Sequence, residues 1–187
     1  MIIGLSGYGG AGKDTVAKYL VENYGYERRA FADPIKDALV KLNPYITPNV
    51  RVSDIVEAYG WDVAKKGYPE ARRLLQVLGT EVGREMFGED FWVILSMTDI
   101  LPEDKIVFSD VRFESEAREI LKLGGILVRV DRPTVGPVNS HESEVALDKW
   151  DFDWHLRNVD TKDTLHRMVD LFAREYGIHR LTPPVSA

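Results

Sequence analysis

Met1-Ile2-Ile3-Gly4-Leu5-Ser6-Gly7-Tyr8-Gly9-Gly10-Ala11-Gly12-Lys13-Asp14-Thr15 decides the fold of this chain. An apolar run of strand type feeds a glycine-rich turn. The turn ends at Gly12-Lys13 against the amphipathic segment Val16-Ala17-Lys18-Tyr19-Leu20. Strand, loop and helix in that order let backbone N–H groups converge on phosphate oxygens. The helix start adds the positive end of its dipole. Gly9, Gly10, Ala11, Gly12, Lys13, Asp14 and Thr15 are therefore expected to hold a nucleoside triphosphate, with Lys13 as the mobile cation for its outer phosphates.

One position departs from the usual pattern. Asp14 stands directly after the lysine, where a magnesium-binding hydroxyl is common, and the hydroxyl comes one residue later at Thr15. A second signal follows in Ile106-Val107-Phe108-Ser109-Asp110. A buried strand ending in Asp brings a carboxylate to the sheet edge where such a loop sits. Asp14, Thr15 and Asp110 are the expected metal-side residues, for Mg²⁺ accompanying ATP. Arg112 could reach phosphate oxygens as a bidentate donor; a salt bridge to Glu114 or Glu116 is the structural alternative.

Composition narrows the partners. The 187 residues allow one good core, and 44% hydrophobic with 29% charged content is ordinary for a soluble globular chain. A formal net charge of −6 without basic blocks argues against a nucleic-acid-binding face. The absence of cysteine excludes disulfides and thiolate chemistry and fits a reducing cytoplasm. No signal peptide is visible, and no apolar run reaches the ~20 residues of a membrane span. A cytoplasmic location is expected.

Strand patterns alternate with helical ones, which predicts an α/β fold with a parallel sheet covered on both faces. Helices are expected to end at Gly25 and to run from Asp33-Pro34 to about Leu42, from Pro69 to about Phe87, from Glu89 to Leu101, from Glu114 to Leu123 and from Thr161 to Tyr176. A short helix capped by Ser53 should reach Tyr59. The stretches 43–52 and 60–68 read as irregular.

Along the Pro69 helix, at ~100° per residue, Arg73, Gln76, Thr80 and Arg84 share an arc of about 80° with no acid in it. Leu74, Leu75, Leu78, Val82 and Met86 make the apolar face. Two guanidiniums, an amide and a hydroxyl suit a small anionic ligand; an ordinary wet face is the alternative. Trp92 lies close by in sequence. Further on, Arg129-Val130-Asp131-Arg132-Pro133 opens an irregular stretch. There Arg132 could close over a transferring phosphoryl group, or simply pair with an Asp. His141 reads as a hydrogen-bonded hinge or lid histidine.

These motifs together resemble the deoxynucleoside monophosphate kinases of bacteriophages, within the nucleoside monophosphate kinase group. The resemblance rests on Gly7-x4-Gly12-Lys13-Asp14-Thr15, on Phe31-Ala32-Asp33-Pro34-Ile35-Lys36, and on Leu75-Gln76-x2-Gly79-Thr80-Glu81-x2-Arg84. It continues through Ser109-Asp110-Val111-Arg112-Phe113-x2-Glu116-Ala117 and His141-x-Ser143-Glu144. It implies a single domain of the three-layer P-loop kinase fold. That domain has a core of 1–32, 103–130 and 154–180 around a five-stranded parallel sheet, a monophosphate-binding arm over about 33–102 and a short lid over about 131–153. It also implies γ-phosphoryl transfer from ATP to a deoxynucleoside 5′-monophosphate. Lys13, Arg112 and Arg132 would be catalytic, and Asp33, Lys36, Arg73, Gln76, Thr80, Arg84, Trp92 and Arg112 would contact the acceptor. Nucleic acid and membrane are not expected partners, and a homodimer is left open. Two other readings remain at this stage. One is a kinase of another small acceptor, such as dephospho-coenzyme A or a sugar acid; the other is a non-catalytic nucleotide-binding switch.

Overall fold

The structure is a computed structural model and describes residues 1–137 and 145–181. His141, Ser143 and Glu144 of the expected lid, and the tail 182–187, lie outside the described residues. The chain divides into two compact units, Met1–Ala30 with Asp99–Ala187, and Phe31–Thr98.

The first unit holds a five-stranded parallel sheet in the order β2-β5-β1-β6-β7. Its strands are β1 (Ile2–Ser6), β2 (Glu27–Arg29), β5 (Ile106–Phe108), β6 (Ile126–Asp131) and β7 (Trp154–Arg157). β1 is central and buried along its whole length, as a strand covered on both faces must be. It pairs in register with β5 (Gly4 opposite Phe108) and with β6 (Ser6 opposite Arg129). On one face α1 (Lys13–Tyr24) and α7 (Lys162–Glu175) bury Val16, Leu20, Leu165, Val169 and Phe172 against Ile3, Leu5, Val107 and Val128. Each such aliphatic or aromatic side chain contributes roughly 1.5–3 kcal/mol on burial. On the other face α6 (Glu114–Lys122) buries Ala117 and Ile120. The C-terminus of α1 is set by Gly25, whose φ of 73° and N–H bonds to Leu20 and Val21 carbonyls close the helix. Thr161 caps α7 by accepting a bond from the Thr164 N–H at 3.3 Å.

The second unit contains α2 (Asp33–Leu42), a hairpin of β3 (Tyr45–Thr47) and β4 (Val50–Arg51), α3 (Val52–Gly67), α4 (Pro69–Val77) and α5 (Phe91–Met97). Its core is Leu39, Ile46, Val52, Ile55, Ala64 and Ala71. Three sequence expectations need correction here. The stretch 43–52, expected as loop, holds the antiparallel pair β3–β4, two very short strands whose pattern Pro44 and Pro48 hide. The stretch 60–68, expected as irregular, is mostly helical, because α3 bends at Gly60 (φ 79°, ψ 169°) and then continues. The long Pro69 helix is α-helical only to Val77. From Leu78 to Met86 it is a π-helix, bonded i→i+5, a form rare at this length. Met86, assigned to the apolar face, is consequently 70% exposed.

Candidate active site around the phosphate loop

Because β1 is central, its C-terminal end delivers the glycine loop to the edge at which all five parallel strands finish. Gly7 takes a φ of 140°, and a Cβ there would lie 2.4 Å from the Val130 carbonyl oxygen. Gly12 takes a φ of 112°, and a Cβ there would lie 2.7 Å from Asn158 Nδ2. Only glycine fits both positions. The loop is tightened by the Ala11 N–H, which donates to the Tyr8 carbonyl at 3.1 Å. α1 then opens at Lys13, directly after Gly12.

Lys13 folds back over the loop: its Nζ donates to the Gly7 carbonyl at 2.6 Å and the Tyr8 carbonyl at 3.0 Å. Arg132 approaches from the end of β6, with Nη1 donating to the Gly10 carbonyl at 3.3 Å. Two of the three expected catalytic cations thus meet on loop carbonyls. The third, Arg112, lies in the turn after β5. That turn stays laddered to β1 through the Val111 N–H, which donates to the Leu5 carbonyl at 3.1 Å. Asp110 follows β5 in the same turn, one strand away from the loop. The two acids offered as salt-bridge partners of Arg112 lie in the first turn of α6. Glu114 pairs with Arg118 at 2.6 Å. Glu116 is buried and accepts the Arg112 and Phe113 backbone N–H groups at 2.7 and 3.1 Å, fixing the turn at the start of α6.

Asp14 and Thr15 stand in the first turn of α1. Asp14 is exposed and lines, with Thr15, Lys18, Tyr19, Glu22, Lys162 and His166, a concavity between α1 and α7. Among the described residues no group of three or more His, Asp or Glu stands ready to hold a metal ion by itself.

A second ring of residues braces the loop from the β6 side, and sequence reading missed most of it. Arg129 is 8% exposed. Its guanidinium bonds Asp148 at 3.0 Å, lies 3.5 Å from Asp131, and sits 4.8 Å from the centroid of the Tyr8 ring. The Tyr8 hydroxyl in turn donates to Asp148 at 2.9 Å. A buried guanidinium requires such company. Asn158, just beyond β7, donates through Nδ2 to the Ala11 carbonyl at 2.9 Å. Its position is set by its own N–H, which donates to the Asp131 carbonyl at 2.7 Å. The usable signal was its place at the C-terminal end of a parallel strand. Beside the loop, Tyr8, Asp131, Arg132, Pro133 and Arg157 border a concavity of about 340 Å³.

The remaining candidates lie in the second unit. Lys36 pairs with Asp33 at 2.6 Å. Arg73 is exposed and forms two bonds with Glu70, at 2.8 and 2.7 Å. The guanidinium expected to await an anion therefore already has a carboxylate, supplied from three residues before it. Gln76 and Thr80 are exposed and Arg84 is half-buried. Trp92, considered as a contact for a base, is 6% exposed, and its indole N–H donates to the Gly79 carbonyl at 2.9 Å. It occupies a packing position beneath the π-helix.

A parallel sheet, a glycine loop opening a helix, and lysine and arginine gathered on that loop define a phosphate-loop protein of the kinase type. The chain belongs to the deoxynucleotide monophosphate kinase family, whose model matches residues 1–62 and 64–169. It is 33% identical over 168 residues to a provisionally named deoxynucleotide monophosphate kinase of Acanthamoeba polyphaga mimivirus, covering 79% of this chain and 82% of that protein. It is 26% identical over 181 residues to the deoxynucleoside-5′-monophosphate kinase of Escherichia phage T5, covering 65% of this chain and 72% of that one. A shikimate kinase from Aquifex aeolicus aligns over 95% of this chain and 98% of its own, at 14% identity and a TM-score of 0.46, a likeness that decides nothing further.

Proposed function

We propose that the chain transfers the γ-phosphoryl group of ATP to a deoxynucleoside 5′-monophosphate, giving the diphosphate and ADP. Membership of the family carries this reading, and the meeting of Lys13 and Arg132 on the loop carbonyls supports it. Phosphoryl transfer asks for positioning and charge neutralisation more than for covalent chemistry. The loop amides and Lys13 hold the β- and γ-phosphates, Lys13 exchanging its bonds to the Gly7 and Tyr8 carbonyls for phosphate oxygens. Arg132 and Arg112 neutralise the charge that spreads over the equatorial oxygens in the transition state. The guanidiniums of Arg132 and Arg157, with the Tyr8 ring, offer surfaces on which a base can stack.

Asp14, Thr15 and Asp110 provide hard oxygen donors close to the loop, a set that suits Mg²⁺ arriving with the triphosphate. These three residues would hold the ion, which would supply positive charge against the negative charge of the phosphates. Asp14 also places a favourable negative charge in the first turn of α1. The acceptor contacts are assigned to the second unit: Asp33, Lys36, Gln76, Thr80 and Arg84, with Arg73 at the margin because of Glu70. No helix among the described residues is long and apolar enough to cross a membrane. We place the protein in the cytoplasm, acting on small molecules rather than on nucleic acid.

The test is a coupled ADP-release assay with deoxy- and ribonucleoside monophosphates, dephospho-coenzyme A and shikimate as acceptors. ADP release that depends on a deoxynucleoside monophosphate is expected. Turnover with dephospho-coenzyme A or shikimate alone would move the protein to another acceptor class, and tight ATP binding without transfer to any acceptor would make it a switch.

A further inference from the structure

The π-helix Leu78–Met86 is the least expected element of the second unit. Regular α-structure is the default for a nine-residue run, so something must favour the wider turn. Two features do. Gly79 and Gly83 are both buried within the run, and without a Cβ at Gly83 another side chain can come against the helix backbone there. Trp92, on α5, presses its indole directly on the helix backbone. A Cβ at Gly83 would lie 1.9 Å from Trp92 Nε1 and 2.5 Å from its Cε2, so no side chain can stand there while the indole does. The indole N–H is spent on the Gly79 carbonyl, inside the π-helical run, at 2.9 Å. Tryptophan alone combines a large apolar body with a single ring donor for this task.

The register of this run sets where its side chains point. An i→i+5 turn advances less per residue than an α turn, and from Leu78 to Arg84 the difference accumulates to on the order of 100°. Relaxation to α-helix would therefore swing Arg84 around the helix axis and turn Thr80 by a smaller angle, with the flanking α4 and α5 in place.

We infer that Trp92 is a positioning residue for the acceptor. Its N–H bond to Gly79 holds residues 78–86 in the π register, and that register aims Thr80 and Arg84 at the monophosphate. The inference rests on the assignment of the second unit to the acceptor. Trp92 touches no reacting atom; it acts through the helix it supports.

Trp92→Phe removes the N–H and keeps an aromatic ring. In steady-state assays it should raise the KM for the deoxynucleoside monophosphate about tenfold and leave the KM for ATP within about twofold. Amide hydrogen exchange should quicken within residues 78–86 and not in β1 or α1. A folded Trp92→Phe with unchanged acceptor KM would overturn the inference, as would an equal rise in both KM values, which marks general loosening. Should that variant fail to fold, Gly83→Ala displaces the indole with Trp92 still present and must show the same split. Wild-type protein serves as the control. If it neither binds nor phosphorylates any deoxynucleoside monophosphate, the acceptor assignment fails and takes this inference with it; if it is active and the split is absent, only the inference fails.

Discussion

Asn158 Nδ2 donates to the Ala11 carbonyl at 2.9 Å, joining the end of the edge strand β7 to the phosphate loop carried by the central strand β1. The same amide nitrogen lies where a side chain at Gly12 would begin. The loop is thus shaped from outside as well as by its glycines. Asn158→Leu keeps the approximate size and removes the donor. A neutral hydrogen bond contributes about 0.5–1.5 kcal/mol, so the KM for ATP should rise about two- to tenfold with the acceptor KM little changed. Steady-state kinetics with each substrate varied in turn checks this.

Arg73 and Arg84 looked equivalent in sequence, and in the structure Arg73 is held by the Glu70 carboxylate at 2.7 Å. Arg84→Ala should lower acceptor kcat/KM by about ten- to a hundredfold, the loss of a charge-assisted hydrogen bond to phosphate. Arg73→Ala should lower it less than about threefold. Comparable losses from both variants would show that Arg73 leaves Glu70 for the ligand.

How far the sequence could be read follows from how local each signal is. The β1–loop–α1 unit is written in consecutive residues, and the strand-like runs before Asp110 and Asp131 are short but mostly apolar, so the sheet was legible. The β3–β4 hairpin was not, because strands of three and two residues are too short for an alternating pattern. The π-helix was not, because it depends on Trp92 reaching Gly79 and Gly83 from another helix. Asn158 and the Arg129–Asp148 pair belong to the same class: their partners are 147 and 19 residues away and are brought together only by strand order.

Tyr26 tests the core. It is 3% exposed, its hydroxyl has no hydrogen-bond partner among the described residues, and burial pushes its pKa up to about 12. A raised folded-state pKa means stability that is complete below the ordinary tyrosine value near 10 and is lost as pH rises towards 12. Tyr26→Phe should stabilise the protein by about 1 kcal/mol at neutral pH, since a buried unpaired hydroxyl is removed. It should also blunt the alkaline loss. Thermal unfolding at pH 7 and above pH 10 measures both.

Asp170 behaves with the opposite sign. Burial pushes its carboxyl up, but hydrogen bonds from Arg180, Tyr24 and Tyr19 together with the Arg180 charge outweigh burial and hold the pKa below the ordinary value. The contribution is therefore present above the ordinary carboxylate range and is lost as pH falls through the depressed value. Asp170→Asn should lower Tm by several degrees at pH 7, and the gap to wild type should close in acid as pH falls through the depressed value. A gap that widens in acid would contradict the sign.

The most direct measurement follows the label. With γ-³²P-ATP and Mg²⁺, each of the four common deoxynucleoside monophosphates is offered to the wild-type protein and to Lys13→Ala, and the products are separated by charge. The account predicts label in a deoxynucleoside diphosphate with wild type, and its loss by at least about a hundredfold in Lys13→Ala at unchanged thermal stability. Label released only as inorganic phosphate, or a Lys13→Ala variant within a few-fold of wild type, would contradict it.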